Sequence, residues 1–273
     1  MTTPAPLTDR GALARHRDRA AAKPALFLHE AGVEEVQDRL AMVNKSFTAP
    51  VIVTGWPDPW AQAFPEAQII ADDETLALEP ASYDLIIHAL ALHWANDPVG
   101  QLIQMRRALR PDGLMLTVLL GGTTLNELRS VLAQAETEVT GGLSPRVAPM
   151  GELRDMGGLL QRAGFALPVA DSVALRASYA DLPALMHDLR AMGETNAMTA
   201  RPRHMTRRAI FTRAAKLYAA YFADSEARLI ATYDMIVLTG WAPDETQQKP
   251  LRPGSASARL AEALGTRETP LED

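Results

Sequence analysis

The sequence predicts an α/β fold, with a mainly parallel sheet covered by helices on both faces. Short apolar runs rich in branched residues recur at 51–53, 67–71, 84–90 and 114–120, which suits buried strands. Between them lie segments with apolar residues at three- and four-residue spacing. Strands that alternate with helices build parallel sheets.

Val33, Val36, Leu40 and Val43 repeat at helical spacing and predict an amphipathic helix before the first strand, Val51-Ile52-Val53. Gly55 punctuates the end of that strand. "AQIIA" at 67–71 and "DLIIHAL" at 84–90 are the next strands. Asn96 and Asp97 are N-cap types, Pro98 suits a first helical turn, and Leu102, Ile103 and Leu109 continue an apolar face. "RPDG" at 110–113 reads as a stop before the strand "LMLTVLL" at 114–120. After Gly121-Gly122, Thr124 and Glu127 have capping-box spacing ahead of a helix carrying Leu125, Leu128, Leu132 and Val139. Leu153, Met156, Leu160 and Ala163 mark another helix, closed by Gly164. "GFALPVADSVALRA" predicts one or two strands interrupted at Pro168, and "ATYDMIVLTGW" at 231–241 a last strand. Two helices at 181–192 and 206–222 fall between them as an insertion, a lid or partner surface. Residues 1–9 and 243–273 read as loose tails, rich in Pro, Thr, Ser and charge. The domain reading is a basic amino-terminal helix or tail over 1–30, one domain over 31–242 with its insertion at about 178–225, and a carboxyl-terminal tail over 243–273.

With 273 residues the chain can bury a sizeable core. A net charge of −6 gives no electrostatic case for nucleic acid. No cysteine is present, so disulfides, thiolate metal sites and a cysteine nucleophile are ruled out. No run reaches the roughly 20 apolar residues of a spanning helix, and a secretory h-region is lacking. The expected location is cytoplasmic, peripheral at a membrane only through a partner. The basic stretch "LTDRGALARHRDRAAAK" reads as a targeting peptide, a contact for an acidic partner, or a solvated helix face.

Ligands of open α/β sheets sit at the carboxyl ends of strands. That selects Gly55, Asp72 to Glu74, His88 to Trp94 and Gly121-Gly122. A strand-end acid such as Asp72 or Asp73 can accept hydrogen bonds from a ribose or an adenine amine, or simply begin a polar loop. His93 beside Trp94 combines a titratable group with a flat apolar wall, or serves as a packing histidine. No histidine pair has metal-ligand spacing, and a triad assembled in space stays open.

Taken in order, these residues resemble a known family. "YDLII" followed by "RRALRPDG" is similar to the signature of class I S-adenosylmethionine-dependent methyltransferases. "LHWANDP", "GGTTLNELR", "GGLSPRVAP", "LLQRAGF", "DLRAMGETNA", "ATYDMI" with "GW", and "RPGSASARL" resemble the branch of methyltransferase-like assembly factors for respiratory complex I. That branch is associated with arginine hydroxylation and is similar to malonyl-carrier methyltransferases. The resemblance covers about residues 9–260. It implies a Rossmann-like methyltransferase fold with a helical lid insertion, and S-adenosylmethionine as cofactor, contacted by Gly55, Asp72, Asp73 and His88. On an enzyme reading the catalytic candidates are His93, as base or orienter, and Trp94, as a wall of the site; the client that the resemblance implies is a complex I subunit or another protein.

Two departures accompany it. The family's first strand ends in a glycine-rich loop; here the place reads Thr54-Gly55-Trp56-Pro57-Asp58-Pro59. A further strand and helix of the family are missing, and Trp56 to Ile70 looks too short for a crossover between adjacent parallel strands. The first half of the fold therefore reads as shortened. Two functions follow: a methyltransferase-family enzyme linked to complex I assembly that modifies a protein side chain, or a pseudoenzyme scaffold that keeps the fold without efficient cofactor binding.

Overall fold

The computed structural model describes residues 5–248 and residue 265. Its centre is a six-stranded sheet. The strands are β1 (Pro50–Thr54), β2 (Gln68–Ile70), β3 (Tyr83–Ala89), β4 (Leu109–Gly121), β5 (Ala166–Tyr179) and β6 (Leu229–Trp241). They lie in the order β2-β1-β3-β4-β6-β5. β1 pairs in parallel with β2 and β3, and β3 with β4. β6 runs antiparallel between β4 and β5. The mostly parallel sheet read from the sequence is what forms.

Register explains the two apolar layers. Val51, Ile86 and Met115 align across β1, β3 and β4, as do Ile52, Ile87 and Leu116 one step along. Successive side chains point to opposite faces. The first row joins a core with Leu102 and Met105 of α4 (Pro98–Ala108) and Leu160 of α6 (Leu153–Ala163). The second row packs with Val36 of α2 (Phe27–Met42), Trp60 of α3 (Pro57–Ala63), and Leu128 and Leu132 of α5 (Asn126–Thr140). On that same side lie α7 (Leu182–Ala191) and α8 (Arg208–Phe222), the pair inserted between β5 and β6. A further helix, α1 (Arg10–Ala20), precedes them all. Asp97 caps α4 through Gly100 N–H at 2.8 Å, and Gly164 ends α6 at φ 82°, both as the residue types predict.

Four expectations need correction. Trp56 to Ile70 does carry a crossover: α3 has only seven residues and β2 only three, yet β2 pairs with β1. Pro57 and Pro59 fall in the first turn of α3, where lost N–H groups cost nothing. Trp60 then fills the short span, fully buried, with Nε1 donating to His29 Nδ1 at 3.0 Å. α4 does stop at Ala108, just ahead of "RPDG", but the strand starts earlier than read: β4 begins at Leu109 and runs through "RPDG", with Asp112 bent to φ 56° at the register shift. The capping box does not form, because Leu125 adopts φ 53°. Thr124 instead accepts from Asp234 N–H at 2.9 Å, and Glu127 accepts from Thr232, so both tether α5 to β6. Finally, residues 8 and 9 are docked: Thr8 bridges Met198, and Asp9 N–H reaches Ala197 O at 2.8 Å. "RPGSASARL" and the carboxyl-terminal tail beyond residue 248 lie outside the described residues apart from residue 265.

Candidate functional site

From β1 the chain proceeds to β2 on one side, while β3 leads to β4 on the other. A crevice at the carboxyl ends of β1 and β3 is where such a reversal places a ligand. Here α1 occupies it. A Cβ added to Gly55 would lie 2.2 Å from Nη1 of Arg17 and 2.3 Å from its Cζ, so the guanidinium rests directly on the glycine. On the far side Gly193, at φ 78°, makes the same allowance: a Cβ there would meet Arg17 Cγ at 3.1 Å and Trp56 at 3.2 Å. Trp56 itself is buried and held by Thr54, whose Oγ1 accepts its backbone N–H at 3.1 Å. Arg17 Nε and Trp56 Nε1 are buried and have no hydrogen-bond partner.

The strand-end acids are divided among local partners. Asp72 receives Arg17 Nη1 on Oδ1 at 2.7 Å and Arg10 Nη1 on Oδ2 at 3.3 Å. Arg10 also donates to the Asp72 carbonyl. Burial pushes the Asp72 carboxyl up, but Arg17 and Arg10 outweigh it and hold it below its usual value. Asp73 turns its side chain to solvent, while its carbonyl accepts Gln101 Nε2 at 3.0 Å. Glu74 binds Asn96 Nδ2 at 2.9 Å. His88 is fully buried within β3, with Nε2 3.0 Å from Gln101 Oε1 and Nδ1 unpartnered. Burial drives its pKa down to about 4, so the ring is neutral. Gly55 and Asp72 are thus brought together through Arg17, while Asp73 and His88 are drawn to Gln101 of α4.

His93 and Trp94 stand on a short turn after β3 and converge on Glu194, just beyond α7. His93 Nε2 is 3.3 Å from Glu194 Oε2, and Trp94 Nε1 donates to the same oxygen at 2.8 Å. The other ring nitrogen, Nδ1, accepts Leu120 N–H at 3.4 Å. Burial raises the Glu194 carboxyl, yet His93, Arg17 and Trp94 bring it below its ordinary value. Trp94 and Glu194 border a cavity of about 460 Å³ between α1, α5, α7 and α8, while His93 is not among the described residues lining it. Among the described residues no three His, Asp or Glu side chains form a metal-ligand group, and no helix is long and apolar enough to cross a membrane.

Sequence reasoning passed over Arg10, Arg17 and Glu194. A basic helix was visible, but nothing local says that its partner is an acid 55 positions away. Glu194 sits inside "DLRAMGETNA" with no spacing that marks it.

Residues 40–117 match the methyltransferase domain family. The chain is 40% identical over 196 residues to the mitochondrial arginine-hydroxylase NDUFAF5 of Dictyostelium discoideum, covering 71% of this chain and 45% of that protein. The protein of the same name from Homo sapiens is 34% identical over 220 residues, 81% of this chain and 64% of that one. The malonyl-[acyl-carrier protein] O-methyltransferase of Laribacter hongkongensis is 36% identical over 188 residues, 69% of this chain and 61% of that enzyme. The matched region therefore spans about half to three fifths of these relatives' length. Among solved structures, the YcgJ protein of Bacillus subtilis aligns with a TM-score of 0.49 at 11% identity, over 78% of this chain and 99% of that one.

Proposed function

We propose that this chain, a member of the methyltransferase superfamily, serves as an assembly factor that binds a protein client and has given up the usual cofactor. The client in this reading is a respiratory complex I subunit or another protein. One observation carries the reading: the Arg17 guanidinium lies on Gly55 and neutralises Asp72.

S-adenosylmethionine would need open space beside Gly55, where a backbone without Cβ lets the ligand approach, and an acid with unspent lone pairs. α1 takes the space beside Gly55 and the lone pairs of Asp72, so these two residues do not fit the group. Three further features agree. Pro57 and Pro59 remove two N–H donors from the first turn of α3, which follows β1. His88 is buried against Gln101. Both ring nitrogens of His93 are engaged, Nδ1 by an amide and Nε2 by Glu194, which suits an orienting group and leaves no lone pair for a base.

Calorimetric titration with S-adenosylmethionine tests the loss of cofactor. No saturable heat is expected up to about 1 mM, the regime of roughly −4 kcal/mol; clean micromolar binding would refute the reading. The client is tested separately. Deleting the gene is expected to stall complex I assembly, and a chain carrying Arg17→Met, His93→Ala and Trp94→Phe is expected to restore it. Rescue that fails while the variant folds would return the protein to the enzymes.

A further inference from the structure

The 460 Å³ cavity remains unexplained by a closed cofactor crevice. Its size falls among sites that bury a small organic molecule. Leu128 and Leu132 of α5, Met186 of α7 and Phe211 of α8 give it an apolar wall. Its polar side is dominated by arginines. Arg146 and Arg201 are neutralised by Glu136 at 2.7 Å and Asp9 at 2.9 Å. Arg19 and Arg190 are not: Arg19 Nε donates to the Arg15 carbonyl at 3.0 Å, and Arg190 Nη1 lies 3.4 Å from His187 Nδ1. Neither has a carboxylate partner among the described residues. Glu194, the one acid of the lining among the described residues, is already spent on His93 and Trp94. An apolar wall bordered by two solvent-exposed cations that no carboxylate pairs among the described residues suits a ligand that supplies both complements.

We infer that this cavity binds an amphipathic anion, its apolar chain against α5, α7 and α8 and its carboxylate or phosphate head on Arg19 and Arg190. The site rests on the reading that α1 keeps the crevice above β1 and β3 closed, since α1 and α7 each contribute one of the two cations from their observed places.

Calorimetric titration of the full chain with sodium decanoate, decyl phosphate and decanol, each below its aggregation concentration, tests the assignment. At least one of the two anions is expected to saturate one site, and the stronger of them identifies the head group. Each methylene removed, on passing from decanoate to octanoate to hexanoate, should weaken binding by up to about fourfold. A chain carrying both Arg19→Gln and Arg190→Gln, two exposed positions, should lose at least tenfold for the anions and nothing for decanol. Met186→Trp, which fills the cavity, should abolish binding of all three. The inference falls if neither anion saturates below about 1 mM, or if decanol binds as tightly as the anions. It falls equally if the arginine variant binds unchanged, or if a folded Met186→Trp chain still binds.

Discussion

Lowering the pH from 6.5 to about 4 is expected to remove about 5 kcal/mol of stability through His29 and His88, each supplying half. Both rings are buried, and burial holds both at about 4 against an ordinary 6.5. Geometry requires the neutral form of His29, because Trp60 Nε1 donates to its Nδ1 at 3.0 Å. At His88, burial away from compensating charge does the same work despite Asp72 nearby. The sign follows from which state binds protons. The folded values are depressed, so below pH 6.5 the unfolded chain takes up protons that the folded chain refuses. The stabilisation is complete above 6.5 and is lost as pH falls towards 4. Asp72 and Glu194 extend the loss to lower pH, since their folded values also lie below the ordinary ones. Urea unfolding at pH 7 and pH 5 would measure it, with an expected difference of about 4 kcal/mol from the two rings. His29→Phe should roughly halve the difference. A stability that is flat between those pH values would show that the two rings do not sit in the environments described.

The sheet was legible because its information is local. Val51-Ile52-Val53, "DLIIHAL" and "LMLTVLL" are too apolar and too short for anything but buried strands, and Asp97 and Gly164 announce their helix ends. What was hidden depends on pairs distant in sequence. The crossover over 55–67 works because one side chain, Trp60, fills the place of a longer helix, and no spacing rule carries that. Thr124 and Glu127 have the spacing of a cap but find better partners on β6, a tertiary contact overriding a local one. The basic helix illustrates the point most sharply. Its basic character was legible, with a targeting peptide, an acidic partner and a solvated face all open, but not that Arg10 and Arg17 would find their acid in Asp72 of the same chain. The crevice residues Gly55 and Asp72 were legible for the same reason that ligands favour strand ends. That the chain's own helix lies there was not.

Asp72→Ala is expected to cost about 3 kcal/mol, the lower part of the range for removing one partner of a buried ion pair. The carboxylate is 7% exposed and serves two guanidiniums, those of Arg17 at 13% and Arg10 at 25%. Without it Arg17 keeps a buried charge wedged between Gly55 and Gly193, with Nε already lacking a partner. Arg10 loses less, because a quarter of its side chain already meets water. The expectation for the double variant follows. Asp72→Ala with Arg17→Met removes the stranded charge and retains an apolar side chain in the gap, so it should be more stable than Asp72→Ala alone. Arg17→Met alone should cost less than Asp72→Ala, since Asp72 keeps Arg10. Denaturant titration of the four chains closes the cycle, and a coupling of at least about 1 kcal/mol is expected between the two positions. Additive effects would mean that α1 rests on the crevice without being fastened to it by this pair. In that case the helix would be free to yield the site to a ligand, and the assembly-factor reading would lose the observation on which it stands.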